Sequence, residues 1–247
     1  TQHHALTAPR SMLLEKYRRD THSATVHFAR TRPDLTGAWD SPAWAQADTL
    51  EAAQFRPEGS SHCPRTRIRL LYDKSGMYGI FRVEDRYVRC VRTGYMDEVY
   101  KDSCAEYFVR PHRAQGYFAF EFNCGGTLRS SYIVDPTRVG GGFKECIPLP
   151  EEEASCVAVY HSLPAVVDPE IQVPVVWTLE FFIPFSLFEK YAGPLGSMAG
   201  QHWRANFFKC GDETSHPHWA SWAALDERNF HLPHCFGVIE FKGAVKD

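Results

Sequence analysis

The run FFKCGDETSHPHWASW at residues 207–222 holds a dense set of side chains that could do chemistry. Its two histidines, His216 and His218, stand two positions apart. In a strand this spacing puts both rings on one side, as a metal site requires. Zinc needs three or four ligands, so further ligands would have to come from elsewhere. The candidates are Asp212, Glu213, His231 and His234. The alternative is a proline-stiffened loop whose histidines hydrogen-bond neighbours or a ligand, and the sequence leaves the metal open.

The same run contains two tryptophans, Trp219 and Trp222, among histidine, proline and serine rather than among aliphatic residues. This setting favours a loop or sheet edge that is partly exposed. An exposed indole can stack on the C–H-rich face of a sugar ring while nearby acids, amides and bases bind the hydroxyl groups. The alternative is ordinary packing, because a packed tryptophan often keeps one polar end in water.

Several common catalytic patterns are absent from the sequence. It has no GxSxG elbow, no P-loop and no GxGxxG, so it does not predict a serine hydrolase or a nucleotide-binding enzyme of those kinds. Two carboxylates, Glu106 and Glu121, could do the acid–base work of a glycosidase if their spacing were suitable.

Composition limits the class of protein. The chain has 247 residues, of which 44% are hydrophobic and 23% charged, which is enough for a sizeable globular core. The net charge is -3 and basic runs are absent, which argues against a nucleic-acid partner. No run approaches the roughly 20 apolar residues that span a bilayer, so no membrane partner is expected. The oligomeric state is left open.

Eight scattered cysteines, without a CxxC pair, favour buried free thiols in a reducing compartment, although disulfides remain an alternative. The start of the sequence has no apolar stretch of the secretory type. Because a leader could have been removed, the compartment is left open, with a cytoplasmic location favoured on these two observations.

Short β-like runs separated by turn residues dominate the sequence. They lie at 65–73, 77–85, 103–111, 116–123, 130–134, 156–163, 175–184, 202–210 and 236–241. A short helix is predicted at 184–193, and 11–20 could hold another. The pattern predicts an all-β fold, a two-sheet antiparallel β-sandwich of the jelly-roll or immunoglobulin-like kind with one or two short helices. We expect residues 1–33 to form an extension that packs on a single domain of residues 34–247.

Side-chain alternation predicts which face of a strand each residue occupies. It places Phe118, Phe120 and Phe122 on one face and Tyr117, Glu121 and Asn123 on the other. If the neighbouring strands pair as expected, Arg82 and Glu106 join Glu121 and Asn123 on one sheet face. That face would be either a solvated exterior or a polar cleft.

Five motifs in order resemble carbohydrate-binding module family nine and its single-domain relatives, β-sandwiches of a type also seen in DOMON-like domains. They are VYKDSCAEYFVRP, YFAFEFNCGGTL, WTLEFFIPFSLF, WRANFFKCGDETSHPHWASW and NFHLPHCFGVIEF. The resemblance covers about residues 34–241 and implies a β-sandwich that clamps a sugar between two aromatic rings. It also implies secretion, and structural calcium ions that support loops are an expected cofactor.

The resemblance implies roles for particular residues. Tyr100 matches the first aromatic of the clamp, where the family has tryptophan, and Trp222 matches the second, with Trp219 as the other choice. Glu106 resembles the sugar-binding acid, and Arg129 or Asn123 its basic or amide partner.

The leading prediction is therefore a protein that binds a mono- or oligosaccharide, expected at a chain end. The candidate ligand-binding residues are Tyr100, Glu106, Trp222, Trp219, Arg82, Glu121, Asn123, Arg129, Lys209, His216 and His218. The alternative is a carbohydrate-active hydrolase or lyase on the same scaffold. In that case Glu106 or His216 would be the general acid or base, and Lys209 or Arg82 would stabilise developing negative charge.

Overall fold

The computed structural model describes residues 22–244, and their fold is dominated by strands. The strands are β1 (Ser23–Phe28), β2 (Leu50–Glu51), β3 (Gln54–Phe55), β4 (Arg65–Tyr72), β5 (Gly76–Asp85), β6 (Val88–Cys90), β7 (Cys104–Arg110), β8 (Tyr117–Asn123), β9 (Leu128–Val139), β10 (Gly142–Pro148), β11 (Ala158–His161), β12 (Val167–Ile171), β13 (Val175–Pro184), β14 (His202–Cys210), β15 (Trp219–Ser221) and β16 (Gly237–Phe241). The α-helices of the described part are α1 (Glu151–Ala154) and α2 (Phe185–Ala192). Short 3-10 turns occur at Pro42–Trp44, Val99–Lys101 and Pro233–Cys235.

Apart from β6 and β12, which pair with each other, the strands form two sheets that share β1. In the first sheet the order is β10–β9–β8–β7–β14–β16, and in the second it is β4–β5–β13–β11. Strand β1 pairs in parallel with β16 through Ser23–Val26 and with β4 through His27–Phe28, so it passes from one sheet to the other. Apart from β1, the pairs within the two sheets are antiparallel. The predicted antiparallel sandwich with short helices is confirmed.

The main core lies between the two sheets and is rich in aromatic rings. Tyr107 and Phe207, on neighbouring strands of the first sheet, stack with ring centroids 5.1 Å apart. Phe181 of the second sheet lies 5.7 Å from Tyr107 and 5.3 Å from Phe122. Burying several large rings in contact stabilises the sandwich through apolar area and aromatic geometry together.

The outer face of the first sheet carries a smaller core. Side chains that alternate with the main-core rings, among them Phe108, Tyr117 and Phe208, pack beneath Leu225 and Phe236. The segment around residues 225–236 thus covers part of this face and leaves the rest open. A concave surface therefore forms on the first sheet rather than between the two sheets.

Most predicted elements are confirmed, and several were missed. The helix predicted at 184–193 is present as α2, with Pro184 before its first residue and Gly193 after its last. The sequence did not suggest β1, β10 or β12. Strand β1 falls inside the expected extension of residues 1–33 and is part of both sheets. The short helix expected at 11–20 lies outside the described residues.

The prediction that Arg82, Glu106, Glu121 and Asn123 share one sheet face was wrong for Arg82. The register pairs Glu106 with Glu121, and Asn123 follows two residues later, so these three share the outer face of the first sheet. Arg82 lies on β5 in the second sheet. Alternation within each strand was read correctly, but the two groups of strands are not neighbours. None of the helices in residues 22–244 is long and apolar enough to cross a membrane.

Candidate functional site

A pocket of about 420 Å³ opens on the outer face of the first sheet. It is lined by side chains of β7, β8, β9, β10 and β14 and of the loops beside them. Five of the predicted binding residues line it: Tyr100, Glu106, Glu121, Arg129 and Trp219. Because these residues come from distant parts of the chain, only the pairing of the strands brings them together.

The strand register sets the polar part of the pocket. Glu106 on β7 is the direct partner of Glu121 on β8, which is in turn the partner of Arg129 on β9. The Arg129 Nε atom lies 3.4 Å from Glu121 Oε2. Three ionisable side chains therefore form a row across three neighbouring strands, held by the backbone ladder rather than by flexible loops.

The turn that carries Tyr100 and the segment that leads to Trp219 are tied to each other. The Asp212 N–H donates to the Tyr100 carbonyl at 3.2 Å, and the Glu213 N–H donates to the Lys101 carbonyl at 2.9 Å. The Trp219 indole N–H donates to Asp212 Oδ1 at 2.8 Å. The position of Trp219 is thereby linked to that of the turn bearing Tyr100.

The aromatic side of the pocket extends beyond these two rings. Phe230 also lines it and stacks on Phe208 of the minor core at 4.2 Å. The Arg228 guanidinium lies 4.6 Å from the centre of the Trp219 ring. Cation–π contact of this kind orients both groups and leaves the guanidinium donors near the pocket.

Burial makes the acids of the pocket weak. Burial and the neighbouring Glu121 charge raise the pKa of Glu106 well above its usual range. Burial raises the pKa of Glu121 to about 7, although the Arg129 charge opposes this shift. Burial also raises the pKa of Asp212. Near neutral pH the pocket therefore offers carboxyl groups that can both donate and accept hydrogen bonds.

Six other predicted residues lie away from the lining of this pocket within the described part of the chain: Arg82, Asn123, Lys209, His216, His218 and Trp222. Trp222 is only 5% exposed and belongs to the main core. Asn123 is buried, and its amide donates to the Arg92 carbonyl at 2.8 Å and to Asp102 at 3.1 Å. Arg82 pairs with Glu84. Trp222 and Asn123 are therefore packed within the fold, and Arg82 is in an ion pair of the second sheet.

Lys209 and Glu106 lie on opposite faces of the first sheet. In the register, Lys209 is the partner of Ala105, and Glu106 is the partner of Phe208. The Lys209 ammonium lies at the sandwich interior, 2.8 Å from His218 Nε2, and burial lowers the pKa of His218 to about 3. The ring of His216 stacks on Tyr87 at 3.5 Å. The catalytic group expected of Glu106, Lys209 and His216 is therefore not assembled.

Several residues that line the pocket were not predicted as binding residues. Met96 and Arg138 were not considered, and Phe143 and Cys146 come from β10, which was not predicted. His231 was considered only as a metal ligand, and Phe230 only as part of the motif NFHLPHCFG. Their aromatic and histidine side chains beside a proline were the same signal that pointed to the tryptophan loop.

The two clusters of potential metal ligands in the described part of the chain do not suit calcium. In residues 22–244, two groups of three potential ligands lie within reach of one another. One is Cys104, Glu106 and Cys210, and the other is Asp226, His234 and Cys235. Calcium is a hard cation that prefers oxygen ligands, and both groups include sulfur. Neither group fits the expected structural calcium, which stays a prediction. His216 and His218 belong to neither group.

Comparison with known proteins identifies the family. The sequence profile of carbohydrate-binding family 9 matches residues 43–241, and the chain belongs to this family. No curated protein matches the chain.

Solved structures agree with this assignment. A candidate carbohydrate-binding protein from Bacteroides uniformis is similar with 25% identity and a TM-score of 0.77, over 90% of this chain and 100% of that one. A family 9 carbohydrate-binding module from Caldicellulosiruptor kristjanssonii in complex with glucose has 12% identity and a TM-score of 0.60, over 90% of this chain and 98% of that one. The same kind of module in complex with cellotriose has 12% identity and a TM-score of 0.60, over 91% of this chain and 95% of that one. At 12% identity, the likeness is one of fold.

Proposed function

We propose that this protein binds a mono- or oligosaccharide, at a chain end, in the pocket on the outer face of the first sheet. The observation that carries the proposal is the meeting of Tyr100 and Trp219 with Glu106, Glu121 and Arg129 in one concavity. Family membership and the two similar modules with glucose and cellotriose support it. A cavity of about 420 Å³ falls within the range of small-molecule sites.

The aromatic and polar groups have separate roles in this proposal. The rings of Tyr100 and Trp219 supply apolar faces for the C–H groups of a sugar. Glu121, Arg129 and Glu106 supply donors and acceptors for its hydroxyl groups. We assign the second stacking ring to Trp219 rather than Trp222, because Trp219 lines the pocket and Trp222 is buried in the main core.

The test is a calorimetric titration of the protein with glucose, cellotriose and a panel of other sugars. We expect Trp219→Ala to weaken binding by about 2 kcal/mol, or roughly 30-fold, as truncation of a central aromatic contact typically does. Arg82→Ala is the matched control, since Arg82 lies on the second sheet away from the pocket. Unchanged affinity in the Trp219 variant, with wild-type binding intact, would place the site elsewhere. No saccharide bound by the wild type at millimolar concentration would overturn the proposal itself.

The same samples also test whether the protein cleaves the sugars that it is given. Because Glu106 and Lys209 lie on opposite sheet faces, we expect cellotriose and the other sugars to remain intact after prolonged incubation. Chromatography of the incubated mixtures measures this directly. A shortened product that disappears with Glu106→Gln would show that the pocket is catalytic.

A further inference from the structure

Two thiols and a carboxylate converge at the buried end of the pocket. Glu106 Oε1 lies 3.3 Å from Cys210 Sγ and 3.7 Å from Cys104 Sγ. The three potential ligand atoms all lie within 4.8 Å of one another. Glu106 and Cys210 also line the pocket, so this cluster is continuous with its interior.

The fold holds these groups in place through strand pairing. Cys104 on β7 and Cys210 on β14 are direct partners in the antiparallel register. Glu106 lies two residues after Cys104, so alternation puts its side chain on the same face. All three come from the ends of paired strands and are at most 1% exposed. Sites built on sheet backbone are more precisely held than sites built on loops.

One carboxylate oxygen of the cluster lacks a hydrogen bond in the described part of the chain. Glu106 Oε2 is buried and has no hydrogen-bond partner among the described residues. A buried acceptor without a partner costs free energy, and native structures seldom keep one without a reason. Two basic side chains of this sheet are engaged elsewhere. Arg129 lies 3.4 Å from Glu121, and Lys209 lies on the opposite face.

We propose that Cys104, Cys210 and Glu106 bind a divalent cation of the zinc class at the end of the pocket. A set of two sulfurs and one carboxylate oxygen suits zinc and disfavours the hard cations calcium and magnesium. A bound ion would satisfy the unpaired Glu106 oxygen, and each thiol would give up its proton on binding. Three protein ligands leave a fourth position of a tetrahedral ion free, as zinc sites that bind a small molecule do. Because Cys210 and Glu106 line the pocket, that position would face its interior.

The experiment titrates the reduced, metal-free protein with Co²⁺, a spectroscopic substitute for Zn²⁺, and then displaces it with Zn²⁺. We expect one Co²⁺ per chain, with the absorption of a cobalt–thiolate bond, and loss of that absorption when Zn²⁺ is added. Cys210→Ser and Cys104→Ser should each abolish or strongly reduce it. Cys146→Ser is the matched control because Cys146 lines the same pocket outside the cluster, and it should retain the absorption.

A carboxylate variant tests the site while leaving both thiols in place. Glu106→Gln should weaken Co²⁺ binding at least as much as the roughly 10- to 100-fold that loss of a metal's outer-shell partner costs. Glu121→Gln, which changes the neighbouring acid, should retain binding. Circular dichroism of each variant establishes that it is folded.

Three results would overturn the proposal. The first is the absence of cobalt–thiolate absorption in the reduced wild type, and the second is its persistence in both folded cysteine variants. The third is a disulfide between Cys104 and Cys210 that the reductant does not break. The proposal does not rest on carbohydrate binding, although both involve Glu106. Glucose titration of the metal-free protein is therefore read separately, and either proposal can fail alone.

Discussion

Trp219 and Trp222 stand three positions apart yet have different surroundings. Trp219 lines the pocket, with its indole N–H on Asp212 at 2.8 Å. Trp222 follows the end of β15, where its backbone N–H donates to the Phe207 carbonyl at 2.9 Å. Its ring packs 5.7 Å from that of Phe207 in the main core. At the residue scale, position along the backbone rather than residue type separates a binding role from a packing role.

Trp222→Ala should therefore act on stability. We expect it to lower the free energy of unfolding by about 3–5 kcal/mol, because it leaves a large cavity in the core. Urea denaturation of the two tryptophan variants measures the difference. Trp219→Ala should cost distinctly less, since Trp219 is only partly buried. Equal costs for the two variants would contradict the separation of roles.

The raised pKa of Glu121 predicts that sugar binding depends on pH. Its pKa in the folded protein is about 7, because burial outweighs the opposing Arg129 charge. As the pH rises from 6 to 8 the neutral acid becomes a carboxylate, which accepts stronger hydrogen bonds from sugar hydroxyl groups. We expect glucose affinity to rise over this range by about 1 kcal/mol, roughly fivefold, and to stay flat in Glu121→Gln.

The control for this prediction is the pH dependence of the protein's stability. The folded pKa of Glu121 lies above its ordinary value of 4.5, so the folded state binds the proton more tightly than the unfolded chain. This contribution to stability is complete below about pH 4.5 and is lost as the pH rises to about 7. Sugar affinity and stability should thus change in opposite directions, and thermal melting in the same buffers separates them. Affinity that falls with rising pH would contradict the assigned role.

At the element scale, β5 and β13 show how closely the strands of the second sheet fit. Gly79 is the direct partner of Phe181. A methyl group at Gly79 would lie 2.1 Å from the Phe181 ring. That ring is the one that meets Tyr107 and Phe122 of the opposite sheet. The absence of a side chain on one strand therefore sets the position of an aromatic contact between sheets.

Gly79→Ala should displace the Phe181 ring and destabilise the sandwich by about 1–3 kcal/mol, the usual cost of overpacking a core. Thermal or urea denaturation measures the loss. Gly142→Ala is the matched control, because an added methyl group there meets no atom within 4 Å among the described residues. A control variant that loses as much stability as Gly79→Ala would show that the crowding is not the cause.

At the scale of the whole molecule, a buried ion pair joins the two sheets. Lys209 of the first sheet lies 3.7 Å from Asp85 of the second, and both side chains are fully buried. Burial alone would raise the pKa of Asp85, but the Lys209 charge and the hydrogen bond from His62 hold it well below its usual range. Trp177 also donates to this carboxylate, at 3.1 Å. Lys209, which the sequence suggested for ligand binding, is thus held inside the fold by this ion pair.

Lys209→Met should destabilise the protein by about 3–5 kcal/mol, because it leaves the Asp85 charge buried without its cation. The double variant Lys209→Met with Asp85→Asn should recover part of this loss. Lys144→Met is the control, since Lys144 forms an exposed pair with Asp135 and should change stability by at most about 1 kcal/mol. Urea denaturation of the four proteins measures all three effects. A double variant less stable than Lys209→Met would contradict the uncompensated-charge explanation.

The sequence by itself determined the sandwich class, most strands and α2, because turn residues and alternating side chains act over a few neighbouring positions. It also placed Glu106 and Glu121 on one face, since their strands are consecutive in the chain. Only the tertiary structure decided that Arg82 belongs to the other sheet and that Trp222 faces the core. Those outcomes depend on which distant strands pair, and pairing is set by the packing of the whole core rather than by any local pattern. The pocket itself, and the meeting of Cys104 and Cys210 beside Glu106, are products of that pairing.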